Sequence, residues 1–145
     1  MSTFVHIFNS SKKIKMIGID TNLLVRLFTN DDAEQARYAK KLIENNVVFI
    51  SKSVLLETEG VLRYTYELSA DVILKAFESL LGLPHITVED PACIIKTMQW
   101  YSHGFDFTDA IHLASSSQVA DEFATLDKNL IKRAKKFNIN LLTMA

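Results

Sequence analysis

Cysteine, proline and glycine are scarce in this chain of 145 residues, which contains one, two and four of them, respectively. Because a disulfide needs two thiols, Cys93 has no partner within the chain, and we expect the protein to work in a reducing cytoplasm. The low glycine and proline content, together with 48% hydrophobic residues, excludes the composition of a disordered chain. The length instead fits one compact domain with its own hydrophobic core.

Long apolar runs and an excess of positive charge are also absent. No run approaches the ~20 apolar residues needed to cross a bilayer, so we expect no membrane segment. The 16 basic and 17 acidic residues give a net charge of −1, so binding to a nucleic acid would need a local basic patch. The chain has neither common glycine-rich phosphate loop, which argues against a nucleotide-dependent enzyme.

The first fifteen residues differ from the rest of the chain. They are polar in the middle, carry lysines near their end and lack a small-residue cleavage site, so they do not resemble a signal peptide. Periodic structure begins only at Met16. We therefore expect residues 1–15 to be an N-terminal extension outside the core and residues 16–145 to form the domain.

Short apolar runs alternate with amphipathic segments along the rest of the chain. Their periodicity predicts strands at residues 16–19, 47–50, 86–88, 123–126 and 140–142. Helices are predicted between them at residues 23–28, 31–44, 53–66, 69–82, 90–104, 108–117 and 128–137. This alternation is typical of an α/β fold with helices on both faces of a parallel sheet, whose ligands bind at the carboxyl ends of the strands.

Acidic residues recur where the chain leaves a predicted strand or lines a predicted core helix. Four segments contain them: GIDTNLLVR (18–26) with Asp20, VLLETEGVLR (54–63) with Glu57 and Glu59, DFTDAIHLA (106–114) with Asp106 and Asp109, and FATLDK (123–128) with Asp127. Several carboxylates at half-buried positions repel one another unless a cation offsets their charge. Carboxylate oxygens without a Cys/His pair suit Mg²⁺ or Mn²⁺, and such an ion points to phosphodiester hydrolysis.

Each acid also has a purely structural interpretation. Asp20, Asp106 and Asp127 all lie before or at the start of predicted helices, where an aspartate is a good N-cap. If Asp106 instead lies inside its helix, it shares a face with Asp109. The helix that holds Glu57 and Glu59 is apolar nearly all round, so periodicity does not choose between them, and we expect one of the two to meet solvent. Four acids at such positions are harder to explain as caps alone.

Polar and basic residues flank the acids. Thr21, Asn22 and Thr125 are candidates to orient carboxylates or water, with local turn hydrogen bonding as the alternative. The helix over residues 128–137 is strongly basic, and a solvated face is the default interpretation, followed by phosphate contact. Its cations are Lys128, Lys132, Arg133, Lys135 and Lys136. Two further candidates for phosphate contact lie near the acidic segments, Arg26 and Arg63.

The order and spacing of these segments resemble the PIN-domain family, most closely the VapC toxins of bacterial and archaeal VapBC toxin–antitoxin pairs. The matching motifs are IDTN (19–22), LLE (55–57) followed by VLR (61–63), DFTDAIHLA (106–114) and ATLD (124–127). The third motif is the most specific, and the resemblance covers roughly residues 16–142. It implies a three-layer α/β/α sandwich around a central parallel sheet.

The resemblance also implies a Mg²⁺- or Mn²⁺-dependent endoribonuclease that acts as a toxin. By motif, the metal-binding and catalytic acids are Asp20, Glu57, Asp109 and Asp127, with Asp106 as an accessory metal-binding acid. The implied partners are an RNA substrate such as transfer RNA, a second copy in a homodimer and a VapB-type antitoxin that blocks the site. Two alternatives stay open: a non-catalytic PIN-fold module that binds RNA or protein, and a DNA- or structure-specific nuclease.

Overall fold

The strands belong to two parallel sheets, one in each of two compact units that divide after Glu89. The computed structural model describes residues 15–142 and residue 144. The predicted extension, residues 1–15, lies outside the described residues except for Lys15. The part up to Glu89 is called unit 1, and the part from Asp90 onward is called unit 2.

Unit 1 alternates strands and helices along the chain. Its elements are β1 (Met16–Gly18), α1 (Thr21–Thr29), α2 (Ala33–Asn45), β2 (Val47–Ile50), α3 (Lys52–Gly60), a π-helical turn (Val61–Thr65), α4 (Ala70–Leu81) and β3 (Ile86–Val88). All pairs are parallel in the order β1-β2-β3, with Gly18 opposite Phe49 and Ile50 opposite Val88. The carboxyl ends of the three strands therefore share one edge of the sheet.

Side-chain caps begin the helices of unit 1. In each case an oxygen of the residue before the helix accepts a hydrogen bond from a backbone N–H of the first turn, which would otherwise lack a partner. These capping residues are Asp20, Asp32, Ser51 and Ser69. Asp20 lies two residues after the end of β1 and Ser51 follows β2 directly, so two helices start at the carboxyl edge of the sheet.

The core of unit 1 consists of apolar side chains from its central strand and its helices. Val48 and Ile50 of β2, Leu24 of α1 and Phe77 of α4 have no exposed surface. The Phe77 ring also contacts Phe28, with ring centroids 5.9 Å apart. The near-continuous apolar run of β2 is thus explained by burial on both faces of the sheet.

The helix predicted over residues 53–66 changes its winding before it ends. After α3, the N–H of Tyr66 donates to the carbonyl of Val61 at 3.2 Å, which closes a π-helical turn. The Tyr66 hydroxyl donates to the Asp31 carboxylate at 2.9 Å and accepts from Arg26 at 3.3 Å. This turn is therefore held against the start of α2 and the last turn of α1.

Unit 2 contains the second sheet and three helices within its described residues. Its elements are α5 (Pro91–Ser102), α6 (Phe107–Ser117), β4 (Phe123–Ala124), α7 (Lys128–Lys136) and β5 (Leu141–Leu142). β4 and β5 pair in parallel, with Phe123 opposite Leu141. The helices begin at side-chain caps provided by Asp90, Asp106 and Asp127.

Aromatic rings fix the segment that joins α5 to α6. Tyr101 and Phe107 meet edge to face with centroids 5.0 Å apart, and Trp100 stacks on Phe105 at 5.8 Å. Phe105 also contacts Phe137, at the end of α7, with centroids 5.4 Å apart. These contacts hold the turn before α6 against the end of α7, and this turn leads into the acidic residues of α6.

The predicted α/β class with parallel strands is confirmed. β2 and β3 have the predicted bounds. The strand predicted at residues 123–126 ends at Ala124, because Thr125 turns the chain and its hydroxyl accepts from the N–H of Asp127 at 3.0 Å. No helix within the described ranges is long and apolar enough to cross a membrane.

Candidate functional site

In unit 1, one threonine contacts both candidate carboxylates. The backbone N–H of Thr21 donates to Oδ1 of Asp20 at 2.7 Å, and its hydroxyl donates to Oε1 of Glu57 at 2.5 Å. Thr21 is only 5% exposed, whereas Asp20 and Glu57 are exposed. A buried donor therefore contacts both carboxylates, and its hydrogen bond to Glu57 spans 36 residues of sequence.

Burial separates the two glutamates of α3. Glu59 is 4% exposed and forms an ion pair with Arg63, with 3.8 Å between Oε2 and Nη1. Glu57 faces solvent, so the prediction that one of the two meets solvent is confirmed. Glu57 is the glutamate that is accessible to an external cation.

In unit 2, two acids act electrostatically on a third, Asp109. Burial raises the pKa of the Asp109 carboxyl above its ordinary value of 3.8, and the negative charges of Asp106 and then Asp127 raise it further. His112, one turn along α6, acts in the opposite direction. The three carboxylates thus form a cluster whose negative charge is not fully compensated by the protein.

The structural interpretation also holds for three of the acids, because Asp20, Asp106 and Asp127 are N-caps. Asp106 precedes α6 and accepts from the N–H of Asp109 at 3.1 Å, so it caps that helix instead of sharing its face. Asp127 accepts from two N–H groups of α7 at 2.9 and 3.1 Å. All of these bonds are made to Oδ1. A carboxylate has a second oxygen, so capping orients it without preventing it from binding a cation.

The donor chemistry fits a hard divalent cation. The candidate groups are all carboxylates, which Mg²⁺ and Mn²⁺ prefer. Burial, followed by the negative charges of Asp106 and Asp127, raises the pKa of Asp109, and a bound cation would favour its ionised form. As they stand, no three His, Cys, Asp or Glu side chains of the described residues are close enough together to hold an ion. Asp20 and Glu57 form one pair in unit 1, and the other three acids form the cluster in unit 2.

Three other predicted residues lie in unit 1 or in the turn before α7, namely Asn22, Arg26 and Thr125. Asn22 is exposed, and the hydroxyl that holds a carboxylate belongs to its neighbour Thr21. Thr125 contacts the backbone of Asp127 and not its carboxylate. Arg26 donates to Gln35 at 2.7 Å and is bound within α1 and α2. The contact of Thr125 supports its local interpretation, hydrogen bonding within a turn.

A cavity of about 360 Å³ lies in unit 2 beside two of the acids. Asp106 and Asp109 line it together with the turn at Gly104 and Phe105. The remaining lining comes from α7, through Leu130 and the polar residues Asn129, Lys132, Arg133 and Lys136. The spacing of these four polar residues, at i, i+3, i+4 and i+7, places them on one face of the helix. Sequence reasoning identified the basic helix, and this spacing was the available signal for its functional face.

Gly104 was not predicted as part of the site. Its φ of 92° is accessible mainly to glycine, and a Cβ there would lie 2.8 Å from Nη1 of Arg133. The same nitrogen donates to the carbonyl of His103 at 3.3 Å. The guanidinium therefore rests on the bare backbone of the turn at the margin of the cavity.

Comparison with known proteins identifies the chain at the level of a family. The model of the PIN domain matches residues 17–136. No curated protein matches the chain at a significant level. The matched range contains every acid described above.

Proposed function

Because the chain belongs to the PIN domain family, whose members are generally metal-dependent nucleases, we propose that it is a Mg²⁺- or Mn²⁺-dependent endoribonuclease. The observation that carries this proposal is the cavity of unit 2, where Asp106 and Asp109 lie beside the cations of α7. Carboxylates suit a divalent metal, and lysine and arginine suit phosphate. The substrate that needs both is a phosphodiester.

The proposed metal ligands are Asp20, Glu57, Asp109 and Asp127, with Asp106 as an accessory ligand. When bound, the metal would lower the pKa of a water molecule and neutralise the charge that develops on the attacked phosphate. The protein's own part is to orient the carboxylates. Thr21 holds Glu57 through its hydroxyl, and capping hydrogen bonds hold Oδ1 of three aspartates.

The cations of α7 would bind the substrate and not the metal. Lys132 and Lys136 would contribute positive charge to an otherwise nearly neutral molecule, so that a polyanion is attracted locally. Arg133, seated at Gly104, would present a planar group suited to two phosphate oxygens. Opposite charges at one cavity are thus explained by two roles: the acids would bind the metal and the cations would bind the substrate.

We further propose that the nuclease is the toxin of a type II toxin–antitoxin pair. In this proposal it acts in the cytoplasm as a homodimer, cleaves RNA such as transfer RNA, and is blocked by a VapB-type antitoxin. The support is the resemblance of the four acidic motifs to those of VapC toxins. Induced expression should arrest growth, and Asp20→Asn should relieve the arrest at an equal protein level.

The test of the enzymatic proposal is cleavage of total cellular RNA, transfer RNA included, by purified wild type and Asp20→Asn. Each protein is incubated with Mg²⁺, with Mn²⁺ and with a chelator. We expect cleavage by the wild type with either metal, none with the chelator, and a loss of more than about 100-fold in the variant, since even residues that only support metal ligands contribute 10- to 100-fold. Circular dichroism checks that the variant is folded.

Other outcomes identify the alternatives. Equal cleavage by Asp20→Asn and wild type would refute the assigned role of Asp20. Cleavage of a DNA strand in preference to its RNA counterpart would identify a DNA-directed nuclease. A wild type that neither cleaves RNA nor binds metal by calorimetry would identify a binding module.

A further inference from the structure

The cations of α7 differ in whether they line the cavity of unit 2. Lys132, Arg133 and Lys136 line the cavity of unit 2, and Lys128 and Lys135 do not. Asn129, one turn before Arg133, completes the cavity face. The five cations of α7 therefore carry the same charge but have different surroundings.

We propose that the cavity face of α7, defined by Asn129, Lys132, Arg133 and Lys136, is a backbone-phosphate subsite for single-stranded RNA. The inference rests on the proposed ribonuclease function and assigns its substrate contacts to particular residues. Three cations and a side-chain amide supply donors for phosphate oxygens, with Arg133 able to bind two oxygens at once. The volume of about 360 Å³ lies within the range of sites that hold a small ligand group.

The acidic residues of the same cavity decide which polyanion fits. The carboxylates of an acidic peptide would meet Asp106 and Asp109 and be repelled by them. A phosphate that arrives with a divalent cation would avoid this repulsion, because Asp106 and Asp109 would hold the cation and the basic residues of α7 would hold the phosphate. Nucleic acid therefore suits the cavity better than an acidic protein segment.

The side chain of Arg133 is held in position by contacts with the protein. Its guanidinium donates to the carbonyl of His103 and occupies the space that a Cβ at Gly104 would need. A side chain fixed in this way loses less conformational freedom when it binds phosphate than an exposed lysine does. Arg133 should consequently contribute through geometry as well as charge.

The experiment compares two double variants of the full-length chain that have the same net charge. Lys132→Gln/Lys136→Gln removes two cations from the cavity face, and Lys128→Gln/Lys135→Gln removes two from elsewhere on α7. Both are made in the Asp20→Asn background, which keeps Asp106 and Asp109 and leaves the RNA intact, and both are measured in the same Mg²⁺ buffer. The dissociation constant of a short fluorescent single-stranded RNA is measured by anisotropy over a series of KCl concentrations.

The cavity-face variant should bind more weakly and should lose about 1.4 from the slope of log K against log salt, at roughly 0.7 per lost phosphate contact. The matched control should keep most of the affinity and slope. Equal weakening in the two variants would overturn the proposal, because it would indicate a general field effect. Binding of an acidic peptide, but not RNA, through the same lysines would overturn it as well.

A separate comparison tests the positioning of Arg133. Arg133→Lys keeps the charge and loses the planar group, whereas Arg133→Gln loses both. We expect the affinity for RNA to fall several-fold in the lysine variant and further in the glutamine variant, with circular dichroism unchanged. Wild-type affinity in Arg133→Gln would remove this residue from the subsite.

Cleavage by the otherwise wild-type protein separates this inference from the proposed function. If the Lys132→Gln/Lys136→Gln variant cleaved RNA as the wild type does, the subsite would be refuted, but the proposed nuclease activity would not. RNA binding that depends on these lysines, without any cleavage, would support the subsite and refute the nuclease. Absence of both binding and cleavage would refute both.

Discussion

Thr21 is the residue on which the geometry of the acids of unit 1 depends. It is buried at the first position of α1, and its hydroxyl contacts Glu57 on α3. Since Glu57 is otherwise exposed, nothing else among the described hydrogen bonds restrains its carboxylate. The threonine hydroxyl therefore orients a glutamate that is exposed at the surface.

Replacing Thr21 with valine should therefore weaken metal binding more than folding. Valine fills the same space without the hydroxyl, and loss of a supporting group typically costs 10- to 100-fold in metal affinity. The change in the free energy of unfolding should be about 1 kcal/mol or less, because the exposed Glu57 can be hydrated instead. Calorimetric Mn²⁺ titration measures the affinity. Thr21→Ser, which keeps the hydroxyl, should bind nearly as the wild type does, and equal affinity in the valine variant would exclude the role.

Asp109 is a residue whose ionised form is unfavourable in the folded protein. Its pKa is raised in the folded protein, so the ionised carboxylate is less favourable there than in the unfolded chain. Its place in the first turn of α6 favours negative charge, yet the net upward shift shows that burial and the neighbouring acids outweigh the helix dipole.

In the presence of a chelator, Asp109→Asn should raise the melting temperature at neutral pH. The wild type carries the penalty of the ionised group at high pH and is relieved of it as the pH falls through the raised pKa. The advantage of the variant should hence shrink as the pH approaches 3.8, the ordinary value of the carboxyl. Thermal scans over a pH series measure it. Asp121→Asn, at an exposed acid of the same unit, is the control and should show no such trend.

At the scale of elements, helix starts and functional acids coincide. α1, α6 and α7 each begin at one of the proposed metal ligands. α1 and α7 follow the parallel strands β1 and β4, so their capping carboxylates lie at the carboxyl ends of strands, where a ligand has access, whereas α6 follows α5. One side chain can therefore have both a structural and a catalytic use, and substitutions at Asp127 can separate the two.

Asp127→Asn should keep the cap of α7 and lose the activity. Asparagine is as good an N-cap as aspartate, but its neutral amide is a much poorer ligand for a divalent cation. Asp127→Ala should lose the activity and about 0.5–2 kcal/mol of stability as well. Urea denaturation and RNA cleavage are measured on both. If the asparagine variant cleaved RNA as the wild type does, Asp127 would be a structural cap only.

At the scale of the whole molecule, the match to the PIN domain and the parallel sheets together support the predicted α/β sandwich class. The formal net charge of −1 leaves substrate attraction to local surfaces. In unit 2, the negative charges of Asp106 and Asp127 disfavour ionisation of Asp109, in addition to the effect of burial. Metal binding should therefore be visible in global stability.

Mg²⁺ should raise the melting temperature of the wild type in a saturable manner. A ligand that binds only the folded state adds about 2.7 kcal/mol at 100 times its dissociation constant. The shift should be much smaller for Asp20→Asn and for Asp109→Asn. Thermal scans with MgCl₂ are compared with scans in KCl of equal ionic strength, which correct for screening. A shift of the same size in both salts would refute specific binding.

The sequence alone determined the order of the elements, most of their bounds and the positions of the caps. These features depend on contacts between near neighbours in the chain: periodic burial along a helix or strand, and an aspartate that accepts from an N–H up to three residues later. The spacing of the acidic motifs was likewise readable, and Asp20, Asp106 and Asp127 all start helices as their positions suggested.

Only the tertiary structure decided which glutamate of α3 is buried, which hydroxyl orients Glu57 and which face of α7 lines the cavity. The bond from Thr21 to Glu57 spans 36 residues, and the one from Arg133 to His103 spans 30. Such contacts depend on how helices pack, which periodicity does not specify when a helix is apolar nearly all round. Short-range chemistry thus determined the elements and their starts, and long-range packing determined the geometry of the acids and of the basic face.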